Sequence, residues 1–137
     1  MTAKEAKEQL KEYKRCCDLI EVNKQMLKSL DYGLQSADYS RQRVKESKSN
    51  EAVFARIAEK RSDLEKEIEA ECIEAEEIKL DVAARIMSIK NPLYRQILDL
   101  RYIRLMKIDQ IAKMIHYSED HTKHLHAWAL EEYAAEH

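Results

Sequence analysis

One glycine, Gly33, and one proline, Pro92, serve 137 residues. Such a chain has little material for the tight turns that β-hairpins need, and runs of β-branched residues with period 2 are absent. No sheet is therefore expected. Long apolar runs are also missing: none approaches the 18 residues that a membrane helix takes, and no signal peptide is visible. No membrane contact and a cytoplasmic location are the corresponding expectations. Cysteine is limited to Cys16, Cys17 and Cys72, with no C-x-x-C pair. Adjacent cysteines on a helix diverge and cannot both face one metal, so reduced, packing thiols are expected. Charge of one sign is lacking too. The chain carries 24 basic and 26 acidic groups, a formal net charge of −2, which gives no overall basic footprint for nucleic acid. No G-x-S-x-G, Walker loop, H-E-x-x-H or paired-carboxylate pattern occurs. Neither an enzyme, a catalytic residue, a cofactor nor a small-molecule substrate is expected.

What is present is charge and helix-forming residues. Charged side chains make up 36% of the chain, and the abundance of Ala, Glu, Lys, Leu and Arg points to long helices or coiled coil. The charge is unevenly spread: residues 1–50 carry 11 basic and 8 acidic groups, and residues 51–90 carry 7 and 11. Residues 3 to about 31 read as a helix. Ala3, Ala6, Leu10, Tyr13, Cys17 and Ile20 follow the 3-4 spacing of a coiled-coil seam. The next seam position is read as Lys24, with the apolar stripe shifting to Leu19, Met26, Leu27 and Leu30. Thr2 is a candidate cap.

Residues 32–50 break the pattern and read as a connector, with Gly33 as the left-handed stop of the first helix. Arg41, Arg43, Lys45 and Lys48 make it the most basic part of the chain. A second helix runs from 51 to about 90, capped by Asn50. Its seam is Phe54, Ile57, Leu64, Ile68, Ala75, Ile78, Val82 and Ile89, interrupted by Arg61, Glu71 and Arg85. A helix this long must lie against something. The first helix is the nearest candidate, which makes an antiparallel hairpin. Pairing of two hairpins in a homodimer is the other arrangement.

Asn91-Pro92 marks a boundary, since proline suits the first position of a new helix and Asn91 can cap it. Leu93, Ile97, Leu100 and Ile103 then face one way, with Tyr102 beside them. From Leu105 to Tyr133 the chain reads as two helices joined by a tight turn. Ile108, Ile111, Ala112 and Ile115 form one apolar face, and Leu125, Trp128, Ala129 and Tyr133 a second. Ser118 between them is a good N-cap, followed by Glu119 and Asp120 where the helix dipole favours acid. This is the layout of a helix-turn-helix. All five histidines lie in residues 91–137 and can add charge in an anionic field. His121 and His124 stand one turn apart, but no further ligands complete a zinc site, so no metal is expected.

Residues 91–133 resemble region 4 of sigma-70-type transcription factors. The residues that carry this are Ile97–Tyr102 (ILDLRY), Asp109–Ala112 (DQIA), the Tyr117-Ser118 turn and Ala129-Leu130. The whole chain is similar to a group of small prophage proteins of Gram-positive bacteria, described as a domain of unknown function or as phage sigma-like transcriptional activators. Shared features are the helical first half, the Ser/basic connector, Asp63–Ile68 (DLEKEI), Leu100–Ile103 (LRYI) and Leu125-His126. The sequence departs from that pattern at four places. Leu105 and His116 stand where glycine is common, Lys107 stands where a Ser or Thr cap is usual, and Glu119-Asp120 stand where basic residues open the recognition helix.

The expected fold is all-α: a long antiparallel coiled-coil hairpin over residues 1–90, then a three-helix, sigma region 4-like helix-turn-helix domain over residues 91–137. The resemblance implies a DNA-binding transcriptional regulator of phage or prophage genes. It would be an activator or accessory factor that acts with RNA polymerase on double-stranded DNA. Lys107, Lys113, Ser118, Glu119, His121, Lys123 and His124 are the expected DNA-binding residues. Lys107, Lys113, Arg101 and Arg104 would anchor phosphate. His121, Lys123 and His124 would reach bases or backbone, and Glu119 could accept from a cytosine amino group. Thr122 and Leu125 match core positions, His126 the edge, and Trp128 is expected to pack. The competing expectation is a coiled-coil interaction adaptor whose helix-turn-helix no longer binds DNA.

Overall fold

The computed structural model describes residues 1–43 and 48–137, with side chains at 1–31 and 51–137. Every regular element among them is helical, so the all-α expectation holds. Six helices are defined: α1 (Ala3–Leu10), α2 (Glu12–Arg43), α3 (Lys48–Met87), α4 (Pro92–Leu98), α5 (Ile108–Ile115) and α6 (Glu119–Glu136). After α4 the chain widens into π-helix over Asp99–Ile103.

The helix starts are set by local chemistry. Thr2 Oγ1 accepts from Glu5 N–H (3.2 Å) and Glu5 Oε2 accepts from Thr2 N–H (3.3 Å), a reciprocal cap. Asn91 Oδ1 accepts from Leu93 N–H (3.0 Å), with Pro92 in the first turn where its missing donor costs nothing. Between α1 and α2, Lys11 N–H still reaches Lys7 O at 3.1 Å, so the helical path is barely interrupted.

The connector expected over 32–50 is corrected. Backbone helix continues through Gly33 to Arg43 and resumes at Lys48, so Gly33 does not stop α2 and Asn50 does not begin α3. One glycine inside a helix costs only about 1 kcal/mol relative to alanine, and Leu34, Gln35, Ala37 and Arg41 around it are neutral or good helix formers. The side chains of Arg41, Arg43, Lys45 and Lys48 lie outside the described residues.

Two compact units group the chain: Met1–Cys17 with Ala75–His137, and Asp18–Glu74. In the second unit, α2 and α3 pair in opposite directions. Asn23 Nδ2 donates to both carboxylate oxygens of Glu71 (2.9 and 2.8 Å), and further along Arg61 pairs with Asp31. Glu71 and Arg61, two of the interruptions of the α3 seam, thus meet polar partners from α2. Buried polar groups need such partners, and they fix register at some expense of stability. Lys24 is not the seam position that follows Ile20: Asn23 is buried and Lys24 is exposed. Leu19 and Met26 are exposed as well, each at 54%. On α3, Phe54, Ile57, Leu64 and Ile68 are buried or half-buried as the spacing predicts.

In the first unit a core forms where α1, the end of α3, α4 with its π-helical extension, and α6 converge. Ala6, Leu10, Val82, Ile86, Ile89, Leu98, Tyr102, Ala129, Leu130, Tyr133 and Ala134 build it. Each fully buried aliphatic side chain contributes roughly 1.5–3 kcal/mol. Tyr133 is wholly buried, and its hydroxyl donates to Gln9 Oε1 at 2.8 Å. A smaller core of Ile97, Leu100, Ile111 and Leu125 joins α4, α5 and α6. The three half-buried cysteines are spread over α2 and α3.

Candidate nucleic-acid interface

The smaller core sets the geometry of α5 and α6. α5 turns Ile111 and Ala112 inward, and α6 turns Thr122 and Leu125 toward it. Between them His116 adopts a left-handed conformation (φ 62, ψ 39), and Tyr117 N–H reaches back to Ala112 O at 3.1 Å. Leu105, before α5, is also left-handed (φ 57). These are two of the positions at which the sequence departs from the pattern that the resemblance implies. A non-glycine residue there carries steric strain of roughly 1–2 kcal/mol.

Ser118 caps α6 as expected. Its Oγ accepts from His121 N–H (3.1 Å), and its carbonyl accepts from Thr122 Oγ1 (2.8 Å). The Ser118 hydroxyl is therefore committed to the helix start. Lys107 occupies the N-cap of α5. Its N–H donates to Gln110 Oε1 at 3.2 Å, but an ammonium has no acceptor, so Lys107 cannot return a side-chain cap. Its charged head is left for another use.

All seven expected DNA-binding residues, Lys107, Lys113, Ser118, Glu119, His121, Lys123 and His124, are exposed. They do not share one environment. Glu119 Oε1 lies 3.6 Å from Lys123 Nζ, one turn along the helix, so a carboxylate sits beside the lysine expected to reach bases or backbone. At about 100° per residue, Asp120 and His124 point away from the core side, with His121 and Lys123 on opposite flanks. Of the two arginines expected to anchor phosphate, Arg104 is paired with Asp99 (3.3 Å). Arg101 is half-buried, its Nη1 donating to Met106 O at 3.0 Å.

Trp128 does not pack in the core as expected. It is 44% exposed. Thr122, Leu125, Ala129 and Tyr133 define the buried side of α6, and Trp128 is about a third of a turn away from it. It belongs instead to a surface row. Tyr117 and His121 rings lie 5.1 Å apart, His121 and Trp128 6.2 Å, and His124 and Trp128 6.0 Å with near-parallel planes. The 4-3-4 spacing of 117, 121, 124 and 128 carries this row and was readable in the sequence. Among the described residues, no group of three or more His, Cys, Asp or Glu gathers as metal ligands.

His126 is drawn further inward than the edge expected for it. Its Nε2 lies 2.7 Å from Tyr102 Oη, and the rings stack at 5.6 Å. Burial, then the charges of Arg101 and Lys7, push the His126 imidazole down to about 4. Burial lifts the Tyr102 phenol to about 12. The phenol thus keeps its proton and shares a hydrogen bond with a neutral imidazole. This pair belongs to the packing beneath α6 and offers DNA nothing.

Among the described residues, no helix is long and apolar enough to cross a membrane. No curated protein and no solved structure matches the chain. The model of one family, described as "Protein of unknown function (DUF1492)", matches residues 33–132, and the chain belongs to that family.

Proposed function

We propose that the chain is a DNA-binding transcriptional regulator of phage or prophage genes. In this reading α5, the His116–Ser118 turn and α6 are a sigma region 4-like helix-turn-helix, and α2 with α3 is an antiparallel coiled-coil hairpin. The observation that carries the reading is the division of labour on α6. Thr122 and Leu125 turn into the core, while His121, Lys123 and His124, with Lys107 at the N-cap of α5 and Lys113 within it, are left to solvent. Ser118 and Glu119 act indirectly: Ser118 orients the first turn, and Glu119 tempers Lys123. The protein works as an activator or accessory factor with RNA polymerase in the cytoplasm, and it pairs as a homodimer. Gel shift of the full chain across duplex fragments of the surrounding prophage DNA, at low and moderate salt, tests this directly. Retention of particular fragments at moderate salt supports it, and no retention at low salt overturns it.

A second reading has its own observation. The exposed row Tyr117, His121, His124 and Trp128 is rich in the aromatic surface that protein interfaces favour. In that reading α6 meets a protein partner and the chain is an adaptor.

A further inference from the structure

Away from the exposed side of α6, the first unit holds a cavity of about 140 Å³ lined by Lys11, Lys14, Arg101, Tyr102 and Leu105. Three of these five residues are cations and none is an acid. Glu8 lies near, 3.9 Å from Lys11, but its carboxylate is held by Arg15 Nη2 at 2.6 Å. Its charge is therefore largely answered before it reaches the cavity. In a chain of net charge −2, a concave site with this balance is a local reversal of sign.

The wall opposite Lys11 and Lys14 is built from unusual backbone. Arg101 and Tyr102 sit within the π-helical segment Asp99–Ile103, and Leu105 is left-handed. Each departure costs free energy, and such departures gather where a site needs side chains placed off the regular helical path. The bond from Arg101 Nη1 to Met106 O (3.0 Å) fixes the guanidinium at this wall. The Tyr102 hydroxyl is engaged with His126 and contributes only ring surface. The positive field extends below the wall, because Arg101 and Lys7 oppose protonation of His126.

We propose that this cavity binds a phosphate-type oxyanion, gripped by Lys11 between α1 and α2, by Lys14 from the first turn of α2 and by Arg101 from the π-helical turn. A planar guanidinium paired with two mobile ammonium groups suits a tetrahedral anion, which can accept from several directions. The phosphate group belongs either to a small free compound or to a nucleic-acid backbone. The cavity does not depend on α6 entering DNA, so this proposal and the one above can fail separately.

Nuclear magnetic resonance of the full chain tests it, with inorganic phosphate in one arm and a short DNA duplex in the other, each against chloride at equal ionic strength. Tyr102 is hydrogen-bonded to His126, the charges of Arg101 and Lys7 act on its imidazole, and Glu8 acts on Tyr102. An anion seated among these cations lowers their field and moves the His126 titration upward, which a purely structural cluster would not do. Lys14 is exposed, so Lys14→Ala should fold normally and weaken the anion about tenfold, the worth of one charge-assisted contact. Lys90→Ala, an exposed position in the turn between α3 and α4 that does not line the cavity, should not change it. Phosphate shifting the amides of Arg101–Leu105 in the wild type and weakly in Lys14→Ala supports a free compound. The same pattern with duplex alone supports a backbone phosphate. No shift in either arm, or equal shifts in Lys14→Ala, overturns the proposal.

Discussion

His126 carries a cost that shows only when the surroundings acidify. In the unfolded chain an imidazole takes up its proton near pH 6.5, whereas burial against Tyr102 delays this in the folded chain to about 4. Between these values the unfolded state binds more protons, so stability falls as pH falls, by up to about 3 kcal/mol at the acid end. Above pH 6.5 both states are neutral there and His126 contributes no slope. Urea denaturation between pH 7 and 4 should show the decline, and His126→Gln should flatten it. An unchanged slope in His126→Gln would remove His126 from the account. The caps at Thr2, Asn91 and Ser118 were legible in the sequence because each bond reaches only two or three residues. The environments of His126 and Trp128 were not, because they depend on which distant helix covers which side of α6.

Individual helices were legible where an apolar period is unbroken. The spacing of Leu64, Ala75 and Val82 on α3, and of Ile89 just beyond its end, anticipated four buried residues. The polar interruptions at Arg61 and Glu71 were equally visible, but not their answers, Asp31 and Asn23, because register between helices is a non-local property. For the same reason Asn23 and not Lys24 is buried after Ile20, since an apolar period cannot select a buried asparagine. Leu64 tests the α2–α3 pairing: it is 8% exposed and shares a groove with Met26 and Leu30. Leu64→Asp removes an apolar contact and places an unpaired charge there, so a loss of about 3 kcal/mol or more is expected. Circular dichroism melting measures it, and an unchanged curve would mean that the paired face has been misassigned.

Across the whole chain, apolar surface and charge both remain in excess of what the described packing uses. Leu19, Val22 and Met26 stand exposed at spacings of three and four on α2, the pattern of a seam that a second copy could cover. Sedimentation at micromolar concentration should report a homodimer, and a strict monomer at higher concentration would exclude one. The larger claim concerns α6, where Glu119 lies 3.6 Å from Lys123. If α6 meets DNA, replacing the acid turns repulsion of phosphate into attraction at the same place. The decisive measurement is duplex affinity as a function of salt for the wild type, Lys123→Ala and Glu119→Arg. The account predicts weaker binding for Lys123→Ala, with a salt slope smaller by about one unit, and stronger, chiefly non-specific binding for Glu119→Arg. Identical affinities and slopes for all three would contradict it and leave the exposed row of Tyr117, His121, His124 and Trp128 to a protein partner.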